Sequence, residues 1–199
     1  SGYLAGKLSK EGVASLAIDF RGMGSSLGKK EAVAFSEKEM GELRRDVQAA
    51  LRYLSTVQGI DPSRMAILGT GLSSQFAALE ADENPAVKAL VLLSATMDED
   101  SLAAISYRSD MPVLSIVGRE DKGRFEAASQ AFSRSKHFDS DFIVAQGHGT
   151  SMFSHTQGLE EKVVAWLLHN LKGIGWEREV TFQSEDGWQL RGRVRIPGE

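Results

Sequence analysis

The chain contains no cysteine. That excludes disulfides, thiolate metal sites and a cysteine nucleophile, and it fits a reducing compartment, with the cytoplasm as the expected location. No apolar run approaches the about 20 residues needed to cross a bilayer. The opening Ser1-Gly2-Tyr3-Leu4 has neither the basic start of a signal peptide nor an initiating methionine, so a processed chain or a piece of something longer is expected. The net charge of −4 carries no basic excess, so neither nucleic acid nor an anionic membrane is an expected partner. His137, His155 and His169 have no carboxylate or histidine at ligand spacing, and no metal is expected. The glycine-rich stretch Arg21-Gly22-Met23-Gly24-Ser25-Ser26 lacks the lysine and following Ser/Thr of a phosphate loop, so nucleotide binding is not expected. Nothing else in the sequence asks for a cofactor.

What is present is the composition of an ordinary globular protein: 199 residues, 42% hydrophobic and 25% charged. The length suits one domain with a sizeable core. Leu4 to Lys10 reads as a short helix stopped by Gly12. Val13 to Phe20 is a nearly continuous apolar run, the pattern of a parallel strand covered on both faces. Ser36 and Glu39 form a capping box, and Met40, Leu43, Val47, Leu51 and Leu54 then recur at helical spacing, with Gly59 as the stop. Met65 to Leu68, Val87 to Leu93, Met111 to Val117 and Asp141 to Ala145 read as buried strands. Phe125, Ala128 and Phe132 mark one helix face. Leu159, Val163, Trp166, Leu167 and Leu171 mark another, stopped by Gly173.

Strands alternating with helices predict an α/β architecture. The expected form is a three-layer α/β/α sandwich around a mostly parallel, doubly wound sheet. Ligands in such folds sit beyond the carboxyl ends of the strands. The loops there carry Asp19 to Arg21, Gly69-Thr70-Gly71, Ser94-Ala95-Thr96, Asp121 and His148, which points to a common site. The last stretch differs. Glu179 to Gln183, the turn Ser184-Glu185-Asp186-Gly187, and Trp188 to Ile196 read as an antiparallel hairpin. Leu190, Gly192, Val194 and Ile196 share one face. Arg191, Arg193 and Arg195 share the other, which reads as a solvated strand face before it reads as an anion site.

The segment Met65 to Leu79 runs from strand through the tight turn Gly69-Thr70-Gly71 into a helix. That is the layout of a nucleophile elbow, G-x-S-x-G, with glycine at the apex. Asp19-Phe20-Arg21-Gly22-Met23-Gly24-Ser25 is similar to a D-x-R-G-x-G-x-S loop, and Ile60-Asp61-Pro62-Ser63-Arg64 is similar to the lead-in to an elbow strand. With Pro112 to Asp121 and Gly147-His148-Gly149-Thr150, these segments resemble the α/β-hydrolase superfamily, nearest its dienelactone-hydrolase and small-esterase branches. The resemblance covers nearly the whole chain. It implies a triad acid at Asp121, a triad histidine at His148, and an oxyanion donor at the N–H of Leu72. It also implies that Gly71 stands at the nucleophile position, so the serine is absent.

Acyl transfer needs a hydroxyl nucleophile, a base, an orienting acid and two oxyanion donors. Ser73 and Thr70 are the nearest substitute hydroxyls. Thr70 is expected to point away, and Ser73 to hydrogen-bond at the helix start. Water activated by His148 is a further route. Without the resemblance, His148 reads as a turn residue and Asp121 as a helix cap. The family also opens with a hairpin and then a strand ending in an H-G-type loop. Neither precedes Ser1, yet 179–197 resembles that hairpin, and no copy of the H-G strand is found. A piece of a tandem array, a permuted domain, or exchange of hairpins between two chains would each account for this. The expected division is a hydrolase-like core over 1–173 and the hairpin over 174–199. The expected function is a carboxylic-ester hydrolase lineage acting on a small ester or acyl-type ligand, impaired by Gly71. The alternative is a non-catalytic binding or structural domain, with self-association through the hairpin.

Overall fold

The structure, a computed structural model, describes residues 2–28, 31–171 and 177–195. Its strands are β1 (Ser15–Ile18), β2 (Met65–Thr70), β3 (Val87–Leu93), β4 (Val113–Gly118), β5 (Asp141–Ala145), β6 (Glu177–Gln183) and β7 (Gln189–Arg195). Its α-helices are α1 (Gly2–Lys10), α2 (Glu37–Gly41), α3 (Arg44–Thr56), α4 (Ser73–Glu83), α5 (Glu99–Tyr107), α6 (Lys122–Arg134), α7 (Met152–His155) and α8 (Leu159–Leu171). The chain forms two compact units. One spans 63–171; the other joins 2–62 to the described residues of the C-terminal segment.

The 63–171 unit is built on a four-stranded parallel sheet in the order β2-β3-β4-β5. Val87, Ala89 and the run Leu90 to Leu93 are fully buried, so β3 is covered on both faces. That is why its sequence reads as a continuous apolar run rather than an alternation. Helices α4 and α5 pack on one another, and α8 returns across β2 and β3. The mixed face expected of α6 resolves differently from its pattern. Ala128 and Ala131 are fully buried, whereas Phe125 and Phe132 sit at the margin and pack on Phe142 of β5, with ring centroids 5.6 and 5.9 Å away.

The other unit corrects one strand assignment. Ser15–Ile18 does not lie in a parallel sheet. It pairs antiparallel with β7, which pairs with β6, in the order β1-β7-β6. An apolar run cannot by itself distinguish parallel from antiparallel partners. Ala49 and Val57 form a core with Val180, Phe182, Leu190 and Val194, and Tyr53 stacks on Phe182 at 5.1 Å. The hairpin is therefore grouped with the first 62 residues in one compact unit. Leu190 and Val194 are fully buried and Arg191 is exposed, as the alternation requires. Gly173, Ile196 and Pro197 lie outside the described residues.

Ser36 caps α2 as expected, accepting from the Glu39 N–H while the Glu39 carboxylate accepts from the Ser36 N–H. The helical pattern from Met40 to Leu54 is broken at Glu42–Leu43 into α2 and α3, although Leu43, Val47 and Leu51 remain buried.

Candidate active site

Within the 63–171 unit, the loops after β2, β3, β4 and β5 converge. One glycine, Gly118, makes this possible. A Cβ on Gly118 would lie 1.8 Å from the carbonyl oxygen of Gly147, so only glycine lets the loop after β4 meet the loop after β5. The Arg119 N–H donates to the Ala145 carbonyl at 2.8 Å and closes the same junction. Those two loops carry Asp121 and His148. The Asp121 Oδ2 lies 2.6 Å from His148 Nδ1. Asp121 is mostly buried (14% exposed), while the His148 side chain is 61% exposed. A carboxylate on Nδ1 favours the tautomer with the proton there, leaving Nε2 as the free, basic nitrogen on the accessible edge.

The histidine loop is pinned from three sides. Ser151 Oγ accepts from the His148 N–H and donates to the His148 carbonyl, at 3.1 and 2.7 Å. The Gly149 N–H donates to the buried Ser94 Oγ at 2.9 Å. Ser94, the residue after β3, has φ of 45°, the left-handed region that few non-glycine residues adopt. Thr70 Oγ1 comes within 3.2 Å of where a Cβ on Gly149 would sit. The Thr70 hydroxyl therefore lies against the histidine loop.

The elbow has the local form expected of it. Strand β2 ends in the turn, and α4 begins after Leu72. Gly69 admits the close approach of the helix, since a Cβ there would be 2.8 Å from the Ser74 Cα. At the apex, Gly71 has φ of +56°, a conformation that disfavours any side chain. The Thr70 N–H donates to Ser73 Oγ at 2.8 Å, and Ser73 Oγ donates to the Thr70 carbonyl at 2.9 Å. The single proton of the Ser73 hydroxyl thus goes to the Thr70 backbone, which leaves it poorly placed as a nucleophile.

A sequence profile of the dienelactone hydrolase family matches residues 6–142. The chain belongs to the dienelactone hydrolase family. Among solved structures it resembles a dienelactone hydrolase from Anabaena variabilis, with a TM-score of 0.66 over 86% of this chain and 79% of that one, at 19% identity. It is also 27% identical, over 87% of its length, to the thiohydrolase apmlB of Arthrinium phaeospermum. The chain spans about half (53%) of that relative's length.

The family layout makes two placements informative. Asp19 and Arg21, grouped with the common site by their position after a strand, are engaged elsewhere. Asp19 accepts from the Ser25 N–H at 2.8 Å, and its carboxylate fills the space beside Gly24. Arg21 is buried; its Nε donates to Asp46 Oδ1 at 2.7 Å, and its Nη1 pairs with Asp186 of the hairpin turn. Burial raises the Asp46 carboxyl against the opposing hydrogen bonds from Arg21. Burial also works to raise Asp186, but the hydrogen bonds from Arg21 and Ser184 outweigh it and hold that carboxyl at about 2. The glycine-rich loop after β1 is thus a clamp on the hairpin. Conversely, sequence reasoning missed Arg124. It stands three residues after Asp121, in the first turn of α6. Its Nη1 donates to the Ser94 carbonyl at 3.0 Å and lies 3.5 Å from where a Cβ on Gly71 would be. No local signal marked it, because a lone arginine in a helix reads as surface.

Proposed function

We propose that this chain descends from carboxylic-ester hydrolases and, as written, is impaired in turnover because Gly71 occupies the nucleophile position. The observation that carries the reading is the Asp121–His148 hydrogen bond of 2.6 Å on the loops that meet the elbow turn, where the apex has no hydroxyl. In this reading Asp121 orients the imidazole, His148 Nε2 acts as general base, and the Leu72 N–H serves as one oxyanion donor. What the chain lacks is the atom to be deprotonated. Removing the nucleophile from a triad costs several orders of magnitude in rate. Ser73 does not replace it, because its hydroxyl is engaged by the Thr70 backbone. Water activated by His148 supports only slow hydrolysis.

The relatives' names divide between dienelactone hydrolase and thiohydrolase, so ester and thioester probes both belong in the assay. Turnover of p-nitrophenyl acetate and of an acyl thioester is measured for the unaltered chain and for Gly71→Ser. The expected result is background turnover by the former and a gain of at least about 10³-fold in the latter. Ordinary enzyme rates from the unaltered chain would sink the impaired reading. A folded but inactive Gly71→Ser chain would favour the second reading, a binding domain that keeps the hydrolase site. The observation favouring that alternative is Arg124, a cation beside the empty apex.

A further inference from the structure

We infer that Ser94 is a positioning residue: it sets where Asp121 and His148 stand relative to Gly71. The inference rests on the reading of those three positions as acid, base and nucleophile site, and it adds the residue that holds them in register. Ser94 is fully buried and follows β3, an inner strand of the parallel sheet. Each of its polar groups reaches a different neighbour. Its N–H donates to the Ile116 carbonyl of β4 at 2.8 Å. Its carbonyl accepts from Arg124 Nη1 at 3.0 Å, and the Arg124 N–H in turn donates to the Asp121 carbonyl at 3.0 Å. Its Oγ accepts from the N–H of Gly149, the residue after His148, at 2.9 Å. Neighbours on either side reach the elbow. The Leu93 carbonyl accepts from the Gly71 N–H, and the Thr96 N–H donates to the Gly71 carbonyl, both at 3.0 Å.

Ser151 also braces His148, but it lies three residues away and moves with the loop, so it fixes the loop's shape and not its place. Ser94 comes from 55 residues away, at the end of a strand buried on both faces. Its backbone gives a second reason. At φ of 45° glycine is the default residue, and strain of this kind persists where the surroundings over-determine it, most often at functional sites. Glycine would ease the backbone and lose the one side-chain atom that reaches the histidine loop. Gly149 is buried, so its N–H, once deprived of that acceptor, costs free energy until the loop moves to find another partner. Such a movement carries His148 away from its 2.6 Å contact with Asp121. A misplacement of about 1 Å in a catalytic group is enough to cost about 10²-fold in rate.

The test compares Ser94→Gly and Ser94→Ala with the unaltered full chain. Both variants remove the hydroxyl, and only Ser94→Gly relieves the left-handed backbone, so its denaturation midpoint is expected at or above that of Ser94→Ala. The imidazole nitrogen resonances of His148, recorded where the ring is neutral, report which nitrogen carries the proton. In the unaltered chain Nδ1 is expected to carry it, and in both variants the ratio of the two neutral forms should shift by at least about threefold towards Nε2. An unchanged ratio in folded Ser94→Gly overturns the proposal. So does a shift in Ser94→Ala that Ser94→Gly restores, because the ratio then follows stability and not the hydroxyl. If neither variant folds, amide exchange of Gly149 in the unaltered chain decides. Protection of at least about tenfold over an unstructured amide supports the bond, and none overturns it. Turnover separates this proposal from the hydrolase reading. If Gly71→Ser hydrolyses ester, adding Ser94→Gly should lower kcat by about tenfold or more with KM little changed. Full activity of that double variant would overturn the role of Ser94 and leave the hydrolase reading standing. A shifted ratio in Ser94→Gly with an inactive Gly71→Ser chain would support the role of Ser94 and sink the hydrolase reading.

Discussion

Gly71 and Arg124 meet at one point, and their chemistry differs in how visible it is along the chain. Gly71 could be placed from the strand, turn and helix around it. The φ of +56° explains why glycine is comfortable there, and also what Gly71→Ser must overcome. A side chain in that region costs about 1–2 kcal/mol, so the variant should unfold at lower denaturant even as activity rises. Gly118 is a different case. A Cβ at that residue would collide with the Gly147 carbonyl, 1.8 Å away, and the backbone of two loops would have to part. Gly118→Ala is expected to destabilise by about 1–3 kcal/mol. It should also lengthen the Asp121–His148 hydrogen bond, seen as loss of the downfield proton resonance of that pair. An unperturbed resonance and unchanged stability would contradict the role assigned to this glycine.

At the scale of elements, the clamp of Arg21 between Asp46 and Asp186 joins the loop after β1 and helix α3 to the turn between β6 and β7. The Arg21 guanidinium also lies over Trp188, 5.5 Å from the ring centroid. Because the Asp186 carboxyl is held at about 2, below its ordinary 3.8, the folded form binds that proton less readily than the unfolded chain. The sign follows: this group's stabilisation is fully present above about pH 4 and is lost as pH falls through about 2. Asp186→Asn should therefore lower the denaturation midpoint at pH 6, and its deficit against the unaltered chain should shrink towards pH 2. A deficit that does not change with pH would show that the carboxylate charge is not what matters. Asp46→Asn removes the partner that meets Arg21 through Nε, Nη2 and the backbone N–H, and should cost about 3 kcal/mol by leaving the buried cation under-paired.

For the whole molecule, the family profile runs through residues of both compact units, and the hairpin completes the core of one of them. The β1–β7 ladder can form within one chain or be exchanged between two. Light scattering over a range of concentrations distinguishes these: a monomer throughout rules out exchange, and a stable dimer that depends on 177–195 supports it. Among the described residues no helix is long and apolar enough to cross a membrane.

The chain's apolar runs and their spacing were enough to identify the parallel sheet of β2 to β5, because a strand buried on both faces must be apolar throughout. The strand, tight turn and helix around Gly71 were legible for a similar reason, since glycines stand out at the ends of such strands; Asp121 and His148 were singled out only by the family resemblance, because alone they read as a helix cap and a turn residue. The partner of β1 and the burial of Arg21 were not legible, since pairing direction and long-range ion pairs leave no local pattern. Asp46 and Asp186 lie far from Arg21 in sequence, and only folding brings them to it. Arg124 was hidden likewise. A lone arginine in a helix reads as surface, and its charge acquires meaning only where the loops after β2 and β3 place a vacant apex and the Ser94 carbonyl beside it.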